Sequence, residues 1–223
     1  MTLIELPDLI QGTDEWLEQR RGIVTASAVG KLITPTVRVA SNDYSRALTA
    51  QLVAERITGW TDPVYVSDDM LRGHEDEPRA RDLYSEHFAP VRESGFMVRR
   101  EDTWTLGYSP DGLVGDDGLI EVKSRRPKKH LQTILSGEVP PENMAQLQAG
   151  LLVSGREWCD YISYCGGMPM WVKRVLPDPK WFDAIEAAVI AFEENAAEMV
   201  TAYETATAGM PATERVIEME MVL

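Results

Sequence analysis

Apolar residues along the chain recur at three- and four-residue spacing in some stretches and crowd into short runs between turn residues in others, which separates helices from strands. Residues 13–22 read as a short helix, with Thr13 as N-cap, Asp14 and Glu15 in the first turn, Arg20 and Arg21 in the last, and Gly22 closing it. A second helix is expected to start at Thr25 and run through Ile33, and an amphipathic one covers 42–58 and ends at Gly59. Residues 67–88 are helical in pattern but contain Gly73 and Pro78, so a kink or a restart is expected there. Residues 96–123 read as a β-meander. Pro140 and Pro141 open a helix that reaches Gly155, and strands follow near 158–164 and 170–175. A long helix runs from 179 to about 205. Its stripe of Trp181, Ile185, Ala188, Phe192, Met199 and Tyr203 belongs to packing within a subunit or between subunits. No pattern is visible after Gly209. The expected class is α/β, a mixed sheet flanked by helices, in a single domain spanning 1–223.

Composition narrows the picture. With 44% apolar and 26% charged residues the chain has the make-up of an ordinary globular protein. No apolar run has the length of a membrane span, and the first residues lack a basic-then-apolar leader, so a cytoplasmic location and no membrane partner are expected. Cys159 and Cys165 read as buried reduced thiols, and two cysteines are too few for a zinc or four-cysteine iron–sulfur site without other ligands. His74, His87 and His130 have no metal-ligand spacing and read as surface residues, the last in a basic loop. The net charge of −14 excludes coating of nucleic acid by bulk attraction. The cations are clustered, however, at Arg20-Arg21, Arg79 with Arg81, Arg99-Arg100 and from Lys123 to Lys129. Facing one cavity, they would hold DNA inside and leave an acidic exterior.

The candidate chemistry lies in Ser109-Pro110-Asp111-Gly112 and, nine residues on, Glu121-Val122-Lys123. Residues 118–123 form a short apolar strand, on which alternation puts Glu121 and Lys123 on one face and Ile120 and Val122 on the other. Gly115-Asp116-Asp117-Gly118 is a hairpin turn that returns Asp111 towards Glu121. Carboxylates from Asp111 and Glu121, with a main-chain carbonyl such as that of Val122, suit Mg2+ or Mn2+, and Lys123 would stand beside an attacking water or a phosphoryl oxygen. A hairpin with solvated acids is the plainer alternative for this stretch alone. At the start of the second helix, free N–H groups and the hydroxyls of Thr25 or Ser27 make an anion site beside Arg20. Glu77 stands next to the Pro78 break.

Four blocks in order carry a resemblance: Gly12-Thr13-Asp14-Glu15-Trp16 with Arg20 and Thr25-Ala26-Ser27; Gly73, Glu77-Pro78, Ala80-Arg81 and Tyr84; Ser109 to Leu113 with Glu121 to Lys123; and Met144-Ala145-Gln146 with Gln148. Together they resemble the phage λ exonuclease family, the YqaJ-type viral recombinases, within the restriction-endonuclease-like PD-(D/E)xK nucleases, over about residues 12–175. The resemblance implies a restriction-endonuclease-like core. Asp111 and Glu121 would be metal-binding carboxylates, the Val122 carbonyl a backbone ligand, and Glu77 the helix-borne acid of a second metal. Lys123 would be the catalytic lysine and Gln146 a glutamine beside the site. Arg20, Ser27 and Ser109 would hold a 5′-terminal phosphate, with Trp16 near the terminal base. It further implies a Mg2+-dependent 5′→3′ exonuclease, with two metals per site in the family pattern, that degrades one strand of linear duplex DNA. Such enzymes are phage- or prophage-encoded homotrimeric rings that leave 3′ overhangs for a single-strand annealing protein. Residues 124–142 and everything past 176 lie outside these blocks.

Two rivals share some of these residues. A RecB-like or restriction-type nuclease keeps the chemistry, but the first commonly carries a four-cysteine cluster, and the second would cut closed circles. A non-catalytic recombination module would tolerate loss of Asp111, Glu121 or Lys123, and all three are present.

Overall fold

The computed structural model describes residues 2–63 and 66–215; the end of the patternless tail, 216–223, lies outside the described residues. The chain opens with β1 (Thr2–Leu6), α1 (Asp14–Arg20), β2 (Val24–Thr25) and the four-residue α2 (Ala26–Val29), which tightens into a 3-10 turn, Gly30–Leu32. Two longer helices follow, α3 (Asp43–Thr58) and α4 (Asp68–His87). Strands β3 (Val91–Arg92), β4 (Phe96–Arg100), β5 (Thr105–Tyr108), β6 (Gly112–Val114) and β7 (Gly118–Ser124) come next. The rest is α5 (Pro127–Ser136), α6 (Pro141–Ser154), β8 (Trp158–Tyr164), β9 (Trp171–Val175) and α7 (Pro179–Thr207).

The strands form two mixed sheets, one in the order β1-β4-β5-β2 and one in the order β3-β6-β7-β8-β9. The stretch expected to be one meander is therefore divided. β4 and β5 pair in the first sheet, β6 and β7 in the second, and the chain crosses between them at Ser109-Pro110-Asp111. Pro110 has no N–H to give to a ladder, so pairing stops there and the Asp111 backbone is free to turn into the second sheet. In the β6–β7 hairpin Gly112 faces Ile120, Leu113 faces Leu119 and Val114 faces Gly118, with Gly115 in the left-handed region at φ 52°.

Helices end where the sequence signals them. Thr13 caps α1, and Asn42 and Ser45 form a reciprocal capping box on α3. Gly59 and Gly155 terminate α3 and α6 with positive φ. Three expectations need correction. α4 does not restart: it is one helix through Gly73 and Pro78, with Asp76, Ala80 and Tyr84 buried and Pro78 facing solvent, and the missing proline N–H deprives the His74 carbonyl of its helical partner. The second helix is a single short turn, too short for a strong dipole. Residues 127–136 are not a loop but helix α5, started by Pro127 at its first turn.

Two apolar clusters flank β7. Leu119 belongs to the larger, with residues of α3, α6 and α7, while Ile120 and Val122 join Ala80 and Tyr84 of α4 in the smaller. α7 buries Ala184, Ile185, Ala188, Val189, Phe192 and Ala196 against the larger cluster, so most of its stripe packs within the chain; Met199 and Tyr203 stay exposed. β7 is thus covered by α6 on one face and α4 on the other, and its end is where the candidate residues meet.

Candidate active site

β6 pairs with β7 only as far as Gly112 and Ile120, so beyond Ile120 that edge of β7 has no strand beside it. N–H and C=O of one strand residue point to the same edge, and those of Val122 share the open edge with those of Ile120. Asp111 fills part of the gap: its Oδ2 accepts the Val122 N–H at 2.6 Å. The Val122 carbonyl is left pointing past the end of β6. On the α6 face of the strand, Glu121 is 1% exposed, and its Oε1 accepts from Lys123 Nζ at 2.7 Å and from Gln146 Nε2. The Tyr108 hydroxyl donates to Glu121 Oε2 at 3.4 Å. Glu77 comes from α4, where Arg81 Nη2 donates to its Oε1 at 2.8 Å and Arg81 Nη1 lies 2.7 Å from Glu93.

Hydrogen bonds from Tyr84 and to Asp76 hold α4 on the second sheet. Tyr84 Oη donates to the buried Asp160 at 2.7 Å, and Arg174 grips the same carboxylate at 2.8 and 2.9 Å while lying over the Trp158 ring. Nearer the cavity, the Ser124 hydroxyl donates to Asp76 at 2.6 Å. Glu77, Ala80 and Tyr84 share one helix face, which is why these residue types recur at that spacing in the second block.

The electrostatics are those of carboxylates short of positive charge. Burial pushes the Asp111 carboxyl well above the usual range, and Glu121 and Glu77 push it further, against Lys123 and the Val122 N–H. Glu77 is raised by burial and by Glu121, with Arg81 opposing. For Lys123 burial works against the charge, but Glu121 and Asp111 outweigh it and the ammonium is held above its ordinary value.

A second group lies across the same cavity. The Arg20 guanidinium stacks on Trp16, 3.9 Å from the ring centroid, and Trp16 Nε1 donates to Ser109 Oγ at 3.0 Å. That bond leaves the Ser109 proton free for another acceptor. Ser27 Oγ is 3.2 Å from Thr25 Oγ1. Burial lowers the Arg20 pKa to about 10 despite Glu55, and among the described residues no carboxylate is in ion-pair contact with Arg20. An unneutralised, half-desolvated guanidinium with its hydrogen-bonding fork unused is a strong anion ligand.

All ten residues singled out in the sequence — Trp16, Arg20, Ser27, Glu77, Ser109, Asp111, Glu121, Val122, Lys123 and Gln146 — line one cavity of about 430 Å³. Tyr108, Gln11, Met70 and His74 line it too and were not foreseen; Tyr108 precedes the Ser-Pro-Asp motif directly, and that adjacency was the available signal. The basic clusters do not converge there. Of their members only Arg20 and Lys123 reach the cavity, whereas Arg126 pairs with Asp69, Lys129 with Glu142, and Arg125 binds Asn143 and Tyr161. His130 is fully buried, its Nδ1 2.7 Å from Ser163 Oγ and its Nε2 2.9 Å from the Pro169 carbonyl, so the surface assignment fails. Cys159 and Cys165 are buried and free.

The donor types fit a hard divalent cation: Asp111, Glu121 and Val122 line the same cavity, and carboxylates with a main-chain carbonyl are the oxygen ligands such an ion takes. Among the described residues no three His, Cys, Asp or Glu side chains stand together as a ready metal cage. The Lys123 ammonium lies 2.7 Å from Glu121 Oε1 and is the cation in contact with that carboxylate. No helix among the described residues is long and apolar enough to cross a membrane.

Comparisons with known proteins bear on the fold and the family. The structure superposes on an alkaline exonuclease from Laribacter hongkongensis with a TM-score of 0.79 and 32% identity, covering 89% of this chain and 100% of that one. A structure of the same exonuclease in complex with dAMP matches with a TM-score of 0.80 over the same shares. A phage related exonuclease from Haemophilus somnus 129PT, 11% identical, shares the fold with a TM-score of 0.62 over 81% of this chain and 96% of that one. No protein of curated function gives a match. The core is that of the PD-(D/E)xK nucleases. A family model described as the YqaJ-like viral recombinase domain matches residues 15–157, more than half of the chain, and the protein belongs to that family, whose relatives of known structure here are exonucleases.

Proposed function

We propose that the chain is a divalent-metal-dependent 5′→3′ exonuclease that removes nucleotides from 5′-phosphorylated ends of linear duplex DNA and leaves 3′ overhangs. The observation that carries this reading is the division of one cavity into a carboxylate end, Asp111, Glu121 and Glu77, and an anion end, Arg20, Ser27 and Ser109. A strand whose terminal phosphate sits on Arg20 presents an internal phosphodiester to the carboxylates, which sets the register of each cut. The relative crystallised with dAMP, a nucleoside monophosphate, fits such a cavity.

In this reading Asp111, Glu121 and the Val122 carbonyl would hold Mg2+ or Mn2+, and Glu77 would serve a second ion. Such an ion, when bound, would supply Lewis acidity and make a water more acidic. Lys123, charged in the cavity, turns its ammonium from Glu121 to the attacking water or a phosphoryl oxygen and holds it in line. Gln146 keeps Glu121 in place meanwhile. Trp16 orients Arg20 by stacking and Ser109 by its N–H, so the end-phosphate contacts are preset before DNA arrives. Extrusion of the non-cleaved strand to a single-strand annealing protein, and assembly into a homotrimeric ring, belong to this proposal by family resemblance. So does action in the cytoplasm of a bacterial host.

The test compares digestion of linear duplexes carrying 5′-phosphate or 5′-hydroxyl ends, with closed circles as control, by wild-type and Arg20→Ala protein in Mg2+. Phosphorylated linear DNA should be degraded from the 5′ strand, circles should survive, and Arg20→Ala should lose the preference for phosphate by about tenfold or more. Cleavage of closed circles would instead favour a restriction-type endonuclease.

A further inference from the structure

Glu121 is gripped at Oε1 by two donors, Lys123 and Gln146, which leaves its second oxygen to be explained. Tyr108 is the last residue of β5, its ring is 2% exposed, and its hydroxyl is directed at Glu121 Oε2. The ring is held there by the shape of α6. A Cβ added at Gly150 would lie 2.7 Å from the Tyr108 Cζ, so only glycine lets the helix pass that close. One turn earlier on the same helix face, Gln146 reaches the other oxygen of the same carboxylate. The approach that Gly150 permits thus seats Tyr108 and Gln146 on opposite oxygens of Glu121.

Resting on the metal reading above, we infer that Tyr108 is a positioning residue for the metal site: with Gly150 behind it, its hydroxyl sets the plane in which Glu121 offers an oxygen to the cation. A carboxylate held by one oxygen can still turn about that contact, and a donor on the other oxygen removes this freedom. At 3.4 Å the bond is longer than the ~2.7 Å of an ordinary O–H···O contact. The pull of Lys123 and Gln146 on Oε1 accounts for the slack, and release of Lys123 to a substrate lets Glu121 settle towards Tyr108. Burial, then the nearby Glu121, holds the phenol well above its ordinary pKa, so it stays a donor at any working pH.

Tyr108→Phe removes only the hydroxyl and keeps the ring against Gly150. The concentration of MgCl2 giving half of the maximal rise in thermal midpoint, and that giving half-maximal digestion of linear duplex, should both increase about tenfold. The melting midpoint in EDTA reports any purely structural loss separately. Gly150→Ala, which pushes the ring and α6 apart, should shift both Mg2+ curves the same way. Unshifted curves in Tyr108→Phe, with a normal wild-type response, would overturn the role of Tyr108 alone. A wild-type protein with neither response would overturn the metal site itself, and this inference with it.

Discussion

Burial raises the Asp111 carboxyl, Glu121 and Glu77 raise it further, and one ammonium and one amide N–H only partly answer them. Its pKa in the folded protein therefore lies above the ~3.9 of an unfolded aspartate. From about pH 4 upwards the folded state holds this proton more tightly than the unfolded state does, and stability falls as pH rises through that window. Asp111→Asn keeps an oxygen for the Val122 N–H and removes the repulsion. In EDTA at pH 7.5 the variant should melt about 2–6 °C above wild type, and the advantage should shrink towards pH 4. With saturating Mg2+ the order should reverse, because only wild type gains from binding. Lys123 makes the complementary case. Lys123→Ala should reduce cleavage by about a thousandfold while leaving binding to duplex ends within a few-fold, as gel shift and single-turnover assays would separate. Retention of wild-type turnover would remove Lys123 from the chemistry. These two residues could be read from the sequence because strand alternation and a glycine-bounded hairpin suffice to bring Asp111 beside Glu121-Val122-Lys123. For Tyr108 adjacency to the Ser-Pro-Asp motif is the one local signal, and it does not give the role, since the partners Glu121 and Gly150 lie on β7 and α6 and no local pattern links three elements.

At the scale of elements, the sequence shows most clearly those whose pattern and caps agree. α1, α3, α6 and α7 carry an N-terminal cap or proline, and α1, α3 and α6 a closing glycine or basic turn, and they begin and end within a residue or two of expectation. α5 was hidden by its composition. Its basic run reads as a loop, while in the structure its inner face is the polar pair His130 and Thr133 and Leu131 and Leu135 are exposed. His130 docks this helix on β8 through Ser163 and on the following turn through the Pro169 carbonyl. The carbonyl can only accept, so Nε2 carries the proton and Nδ1 accepts from Ser163. His130→Ala leaves both partners buried without a bond, in a cavity the side chain used to fill. A loss of about 2–4 kcal/mol is expected from urea denaturation at pH 7.5. A change under 0.5 kcal/mol, the size of an ordinary ~surface substitution, would mean that the helix is held by something else. The division of residues 96–123 between two sheets was likewise invisible, because strand pairing is decided by distant partners, β1 for β4 and β8 for β7.

Across the whole molecule, charge distribution decides how DNA is held. The chain carries a net charge of −14, and the basic clusters that promised a positive interior are mostly spent on internal ion pairs. Among the described residues Arg20 and Lys123 are the only lysine or arginine residues that line the cavity, against Glu77, Asp111 and Glu121. On the function proposed above, affinity for duplex ends would come from few phosphate contacts and from bound cations, with little bulk attraction. Each neutralised phosphate contributes about −0.9 to the slope of log K against log salt. Two contacts predict a slope near −2 for wild-type protein with Mg2+ and a duplex whose 5′-end linkages are hydrolysis-resistant phosphorothioates, measured by fluorescence anisotropy over about 50–300 mM NaCl. Arg20→Ala should bring that slope to about −1, since one contact is then lost. Exposed cations such as Arg79 and Lys128 stand outside the cavity, and their removal should leave the slope unchanged if the end is all that is gripped. A wild-type slope of about −5 or steeper would show that the duplex body is held as well, by cations outside the cavity.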